Sequence, residues 1–305
     1  MSSKFKVQGS KLRTPAADER NFEHGTLNSE LKFVQGVKDP VVRAAAALNR
    51  PEVRAAEGRY LLEGEDMVEK ALRFGAEMDA VFLAEAPGRP IPAELAKRLM
   101  EHGVETYGLS QGLLFKILGT GYETSTTALA IVRKIPFGEA DLPPASEGKM
   151  LVVGERLQDP RNVGVLVRTA DAAGAPALIL SADSPDPTSR PAVRSSTGSI
   201  LRLPFFQPPD LLSTLARLRR DGYKLVATSA AAPQTLWDAD LTGPCAFLFG
   251  NETEGLSPAL RESADLYVSI PLIGSAHSLN VTVASGIVLY ESLRQRTPTK
   301  REQEA

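Results

Sequence analysis

Phe247-Leu-Phe-Gly-Asn-Glu-Thr-Glu-Gly-Leu256 and Val268-Ser-Ile-Pro-Leu-Ile-Gly-Ser-Ala-His-Ser-Leu-Asn-Val281 each leave an apolar strand through a glycine-marked turn. Upstream, Asp159-Pro-Arg-Asn-Val-Gly-Val-Leu-Val-Arg168 opens a helix after a third apolar strand. Strand, glycine turn and helix together bring bare backbone N–H groups up to a small ligand. All three segments lie in the last half of the 305-residue chain, so function is read there first.

Working outward, Met150–Val153, Ala177–Leu180, Lys224–Thr228, Cys245–Phe249 and Tyr267–Ile270 read as strands. Asn162–Ala173, Pro209–Asp221 and Asn280–Arg296 read as helices. Strands apolar on both faces, alternating with helices, predict a mostly parallel sheet covered on both sides. Residues 148–298 therefore form one α/β domain. The stretch 136–147 concentrates proline, glycine and acids without periodicity and is the linker. Residues 40–135 alternate strand and helix again, predicting a second, smaller α/β domain; residues 1–39 read as an extension and 299–305 as a tail.

Hydrophobic content of 43% with 24% charged residues describes a globular chain. No run approaches the roughly 18 apolar residues of a membrane helix, and no leader pattern opens the sequence, which predicts a cytoplasmic protein. The single cysteine, Cys245, excludes an intramolecular disulfide or a cysteine-based zinc site, and its apolar neighbours predict a buried thiol. No metal is expected. Net charge is −2, yet residues 1–60 hold 11 Lys/Arg against 7 Asp/Glu. That fits either a local phosphate-contacting face or an ordinary solvated surface.

Common nucleotide signatures fail. Gly250 to Gly255 has P-loop spacing, but Leu256 stands where the phosphate-binding lysine belongs, and no GxGxxG follows any strand. A glycine turn carrying Glu252 and Glu254 suits a cationic, hydroxyl-bearing ligand such as S-adenosylmethionine; a plain tight turn reads equally well. Arg168 stands among Val163, Val165, Leu166 and Val167, which predicts either an anion contact or a salt bridge to Asp171. Asn162 reads as an N-cap, while Ser278 and Asn280 read either as N-caps or as short polar side chains that hold a hydroxyl and orient an arginine. His277 has no partner spaced for a triad and reads as a loop residue. Arg190, Arg194 and Ser195-Ser-Thr-Gly198 read as a basic, hydroxyl-rich loop.

Together these segments resemble the SpoU (TrmH-like) RNA ribose 2′-O-methyltransferases of the SPOUT superfamily. The likeness runs from about Met150 to Arg296 through three ordered motifs: Asn162-x-Gly164-x-x-x-Arg168, Gly250-Asn-Glu252-x-x-Gly255-Leu256, and Ile270-Pro-x-x-Gly274-x-x-x-Ser278-Leu-Asn280-Val281. Asn49-Arg-Pro-Glu-Val-Arg54 and Gly58-Arg-Tyr-Leu-Leu-Glu-Gly64 are similar to the family's ribosomal-protein-like RNA-binding domain. Val193-Arg-Ser-Ser-Thr-Gly-Ser199 and Gly274-Ser-Ala-His-Ser-Leu-Asn280 are similar to members that methylate 23S rRNA and confer antibiotic resistance.

The resemblance implies a deep trefoil knot near Ile270–Leu279, a homodimer with the active site at its interface, and S-adenosyl-L-methionine as cofactor. It implies catalytic roles for Arg168, Asn162, Glu252, Ser278 and Asn280. Cofactor binding falls to Thr228, Gly250, Asn251, Glu254, Gly255, Ile270, Leu272, Ser278 and Leu279. RNA contact falls to Arg50, Arg54, Arg59, Arg190 and Arg194. The expected substrate is rRNA, favoured over tRNA; a catalytically silent RNA- or ribosome-binding protein of the same fold is the other alternative. Val281 to Tyr290, apolar nearly all round, agrees with a helix buried on two sides.

Overall fold

The computed structural model describes residues 31–119 and 125–297. The front domain runs β1 (Lys32–Phe33), α1 (Pro40–Ala47), α2 (Pro51–Glu57), β2 (Arg59–Glu63), α3 (Glu65–Arg73), β3 (Met78–Glu85), α4 (Ala93–Glu101), β4 (Thr106–Ser110), α5 (Gln111–Leu118) and β5 (Ala128–Arg133). The rear domain runs β6 (Met150–Gly154), α6 (Pro160–Ala172), β7 (Leu178–Leu180), α7 (Arg190–Ser196), β8 (Phe205–Phe206), α8 (Leu211–Arg220), β9 (Lys224–Thr228), β10 (Gln234–Thr235), β11 (Cys245–Phe249), α9 (Pro258–Ser263), β12 (Leu266–Ser269) and α10 (Val281–Arg296).

The front sheet has the order β1-β4-β3-β5-β2 and is mixed: β1 and β3 flank β4 in parallel, while β5 runs against β3 and β2. The rear sheet has the order β10-β12-β9-β11-β6-β7-β8 with every neighbouring pair parallel. Its central strands β6 and β11 are buried throughout, as a sheet covered on both faces requires. The free Cys245 lies fully buried there, and burial pushes its thiol up.

Several elements differ from expectation. Lys32–Phe33, placed in the extension, pairs with β4, and Leu31 joins the core; the two-residue strand is too short to carry a periodic signal. The remainder of the extension up to residue 30, and the tail from 298, lie outside the described residues. Arg190–Ser196, read as a loop, is helix α7, opened by Ser189 with Pro191 in its first turn. The linker is packed against the rear domain: the Tyr223 hydroxyl donates to the Pro143 carbonyl at 3.0 Å, and Phe137 tilts against Phe206.

An apolar core runs continuously from the front domain (Leu62, Val68, Leu83) into the rear one (Val152, Leu166, Phe247). Two arginines, Arg54 buried and Arg190 half-buried, fasten the same seam. Arg54 reaches Asp186 at 2.8 Å and the carbonyls of Leu48 and Asn49 at 2.8 and 3.0 Å. Arg190 pairs with Glu63, whose side chain is buried, and donates to the Leu118 carbonyl at 2.7 Å.

Candidate active site

Parallel register decides where the site forms. Phe249 stands opposite Gly154 and Leu248 opposite Ala227, so β6, β9 and β11 deliver their following loops to one edge of the sheet. There the turn after β11 folds back on itself: Asn251 and Gly255 exchange backbone hydrogen bonds at 3.0 and 2.9 Å, with Gly255 at φ +70°. The closure brings backbone against Gly250. A Cβ at Gly250 would fall 2.3 Å from the Gly255 carbon and the Leu256 nitrogen, so only glycine fits. Asn251 holds the turn from inside, accepting from the amides of Thr253 and Glu254 and donating to the Arg156 carbonyl.

Beside this turn is a cavity of about 330 Å³, at the lower end of ordinary ligand-site volumes. Thr228, Gly250, Asn251, Glu254, Gly255, Ile270, Leu272, Ser278 and Leu279, the nine expected cofactor residues, all line it. They come from three loops after β9, β11 and β12, so the shape tests the fit directly. A glycine-walled cradle with backbone amides, apolar Ile270, Leu272 and Leu279, and the carboxylate of Glu252 suits a ligand with a flat base, a ribose and positive charge.

Three of the five catalytic candidates, Asn162, Glu252 and Asn280, form a hydrogen-bonded chain at the cavity, whose lining includes Glu252 and Ser278. Asn162 Nδ2 donates to Glu252 Oε1 at 2.7 Å, and Asn280 Nδ2 donates to Asn162 Oδ1 at 3.4 Å. Glu252 also accepts from the amides of Gln158 and Asp159 at 2.9 and 3.3 Å. Partial burial pushes its carboxyl up, but the Asn162 amide and these backbone donors outweigh it and hold the group below its usual range. Asn162 is free for this because Asp159, with Pro160 after it, caps α6. Asp159 accepts from Arg161, side chain and amide, which keeps its carboxylate ionised to lower pH. Asn280 does cap α10, accepting from the amide and hydroxyl of Thr282. Ser278 is exposed beside it.

Arg168 stands apart from its apolar neighbours on the helix. The buried face of α6 is Val163, Gly164, Leu166, Val167 and Ala170, and Arg168 points away from it, exposed. Helical periodicity, not local composition, sets its direction. Asp171, the alternative partner, pairs with Arg202 instead. Arg168 has no ion pair or hydrogen bond from its side chain among the described residues.

The expected RNA contacts divide. Arg50 and Arg194 are exposed. Arg54 and Arg190 are engaged in the interdomain seam described above, and Arg59 pairs with Glu57 and Asp79. Each of these three meets at least one carboxylate of the protein, which engages its charge within the fold. Glu254 is likewise paired, with Arg156 at 2.8 Å, so it offers the cavity a neutralised carboxylate.

Arg156 and Glu155 escaped sequence reading. Glu155 is 5% exposed and accepts from the Ser257 amide at 2.7 Å; Arg156 adopts φ +49° and ties the β6 end to the Glu254 turn. Their only signal was position immediately after β6, the strand next to β11.

Comparison with known proteins agrees with this geometry. The family model described as the SpoU rRNA Methylase family matches residues 149–290. An uncharacterized tRNA/rRNA methyltransferase of Synechocystis sp. is 34% identical over 270 residues, covering 88% of this chain and 96% of that one. The 23S rRNA (uridine(2479)-2′-O)-methyltransferase of Streptomyces viridochromogenes is 33% identical, covering 82% and 88%. The crystal structure of an AdoMet-bound rRNA methyltransferase from Sinorhizobium meliloti matches with a TM-score of 0.75 and 28% identity, covering 88% and 99%. The chain belongs to the SpoU rRNA methylase family.

Proposed function

We propose that this protein transfers a methyl group from S-adenosylmethionine to a ribose 2′-hydroxyl of structured RNA, with 23S rRNA favoured over tRNA. The observation that carries it is the convergence of nine expected cofactor residues on one cavity, with the Glu252–Asn162–Asn280 chain at its mouth. When bound, S-adenosylmethionine would supply an electrophilic methyl on a sulfonium whose leaving group is a neutral thioether, the ribose hydroxyl proton passing to solvent water.

The chain's own residues position and neutralise. Gly250 and Gly255 let backbone amides approach the ligand. Glu252 fixes the Asn162 amide, and Asn280 meets it from the other side, so both amides are held to orient the target ribose. Ser278 presents a hydroxyl at the cavity wall. Arg168 serves as a clamp on the adjoining phosphate and the developing alkoxide.

A homodimer completes the site. Asn162 and Arg168 lie six residues apart on one helix, about 120° apart around its axis, and Arg168 does not line the cavity. Its exposed guanidinium is placed to serve a second copy. On α10, Val283 and Tyr290 are each 51% exposed seven residues apart, an apolar stripe fit for that contact. The knot belongs to the same reading: Ile270, Leu272, Ser278 and Leu279 wrap a cavity walled also by the loops after β9 and β11, as a threaded segment would. Among the described residues no helix is long and apolar enough to cross a membrane, and a cytoplasmic site of action fits an rRNA substrate.

Mapping 2′-O-methylation across rRNA and tRNA from cells with and without the gene tests this reading. One 23S rRNA site should disappear with the gene. Unchanged methylation of both RNA classes would refute the enzyme reading in favour of a silent RNA-binding protein.

A further inference from the structure

A second cleft, of about 950 Å³, opens at the seam between the domains, and no residue lines both it and the cofactor cavity. It lies along the edge of the front sheet, where β2 pairs with β5, and is closed by the turn after α3, linker residues 135–137 and Leu201 of the rear domain. Its volume is that of a small-molecule site, and domain interfaces are where such sites collect.

Strand alternation sorts its polar groups onto two faces. Tyr60 stands opposite Val132, and the Lys134 amide donates to the Gly58 carbonyl at 2.7 Å, so Tyr60, Val132 and Lys134 share one face of the strand pair. That face looks to the rear domain: Tyr60 and Val132 belong to the shared core, and the Lys134 ammonium lies 4.4 Å from the centre of the Phe205 ring. Arg59 and Arg133 fall on the other face, where they hold the carboxylates that line the cleft, those of Glu57, Glu77 and Asp79. The first face has no such pairing. Lys134 is half-buried, without a side-chain hydrogen bond or ion pair among the described residues, and Asp186, whose charge it feels, is taken by Arg54. Tyr60 is 2% exposed, and its hydroxyl has no hydrogen-bond partner among the described residues. Burial pushes the Lys134 ammonium down and the Tyr60 phenol up, so the phenol keeps its proton as a donor. An unmet buried donor beside an unpaired, half-buried cation carries a desolvation cost that a bound anion offsets.

We propose that this cleft is a second small-molecule site, taking a monocarboxylate with a flat apolar body, its charge on Lys134 and Tyr60 and its body against Phe137 and Leu201. One uncompensated ammonium and one hydroxyl match the two oxygens of a single carboxylate. A polyanion would need further free cations, and the other two of the cleft are already paired. Val132 and Ile135 add apolar wall, and Phe137 is held in place by its tilted contact with Phe206. Because the ligand would touch the front sheet, the linker and the rear domain together, its binding would strengthen the seam.

The test is calorimetric titration of the full-length protein with naphthoate and with its neutral analogue naphthamide, each with and without saturating S-adenosylmethionine. Naphthoate should bind with a Kd at or below about 1 mM, the amide at least about tenfold more weakly, and S-adenosylmethionine should leave both unchanged. Lys134→Met keeps the apolar stem and should weaken naphthoate at least about tenfold. Tyr60→Phe, which removes only the hydroxyl, should weaken it roughly threefold or more. Both variants should bind S-adenosylmethionine as wild type does, which checks that they are folded. The site is overturned if naphthoate gives no heat at about ten times that concentration, if the amide binds equally well, if S-adenosylmethionine displaces it, or if Tyr60→Phe and a folded Lys134→Met both bind it as wild type does.

Discussion

Asn162 on α6 and Glu252 in the turn after β11 are joined by a 2.7 Å hydrogen bond across a sequence separation of 90 residues. This contact ties the start of α6 to the wall of the cavity. Glu252 also gathers the amides of Gln158 and Asp159, so one carboxylate sets both the start of α6 and the edge of the cavity.

Glu252→Gln tests that role. A glutamine has one acceptor oxygen where the carboxylate has two, so the Asn162 amide and the two backbone donors cannot all be satisfied. Methyl transfer should fall by roughly 10–100-fold with S-adenosylmethionine affinity changed less, the scale for losing oriented donors. The pH dependence follows from the depressed carboxyl. Its stabilisation is fully present above the unfolded value, near 4.3, and is lost as pH falls through the lower folded value. Acid melts of wild type should therefore steepen below about pH 4.3, and Glu252→Gln should remove that component. Identical acid profiles would contradict it.

Gly250→Ala separates shape from charge. The new methyl would meet backbone atoms of Gly255 and Leu256 at 2.3 Å, and backbone closing a hydrogen-bonded turn cannot move aside cheaply. Calorimetry should show S-adenosylmethionine affinity reduced at least about tenfold, roughly 1.4 kcal/mol. Gly274→Ala, whose Cβ would meet nothing within 4 Å, serves as the comparison for fold and expression.

Arg54→Ala probes the interdomain seam. The substitution strips a buried cation from Asp186 and leaves the Leu48 and Asn49 carbonyls without their donor. Breaking such a pair costs on the order of 3 kcal/mol. Melting temperature should drop by roughly 5–10 °C, with the two domains still melting together because they share one core. Two separated transitions would mean that the arginine, and not the shared apolar core, is what couples them.

What the sequence made legible was the part written in local pattern. The apolar strands β6, β9 and β11 and the glycine turns fall within a residue or two of expectation, because strand length and turn chemistry are local properties. Short edge elements such as Lys32–Phe33 and Gln234–Thr235 carry no period and were invisible. Motif order was enough to mark the tight turn at Gly250 and the helix start near Asn162. Side-chain direction is not written in local pattern: Arg54, Arg168 and Arg190 differ through which way their elements turn and which acid, if any, folds against them. The Arg156–Glu254 and Arg190–Glu63 pairs join segments that only the three-dimensional fold brings together.

Arg168 is the sharpest test of the proposed chemistry. The salt-bridge alternative is removed by the structure, since Asp171 pairs with Arg202 and Arg168 stands exposed on α6. An exposed arginine without a partner contributes little to stability, so Arg168→Ala should leave the melting temperature within about 2 °C of wild type. S-adenosylmethionine binding should also persist, because Arg168 does not line the cavity. Methyl transfer should nonetheless fall at least about 100-fold, the scale for removing a preorganised donor to developing negative charge. Arg168→Lys should be nearly as poor, because a point charge does not reproduce the planar two-pronged fork. Mixing Arg168→Ala subunits with subunits inactivated at Asn162 adds a second readout. If the guanidinium serves the neighbouring copy, the mixture should regain part of the activity that each variant lacks alone. A folded Arg168→Ala protein methylating RNA at the wild-type rate would remove Arg168 from the mechanism, and a mixture as inactive as its parts would place the arginine in its own subunit's site.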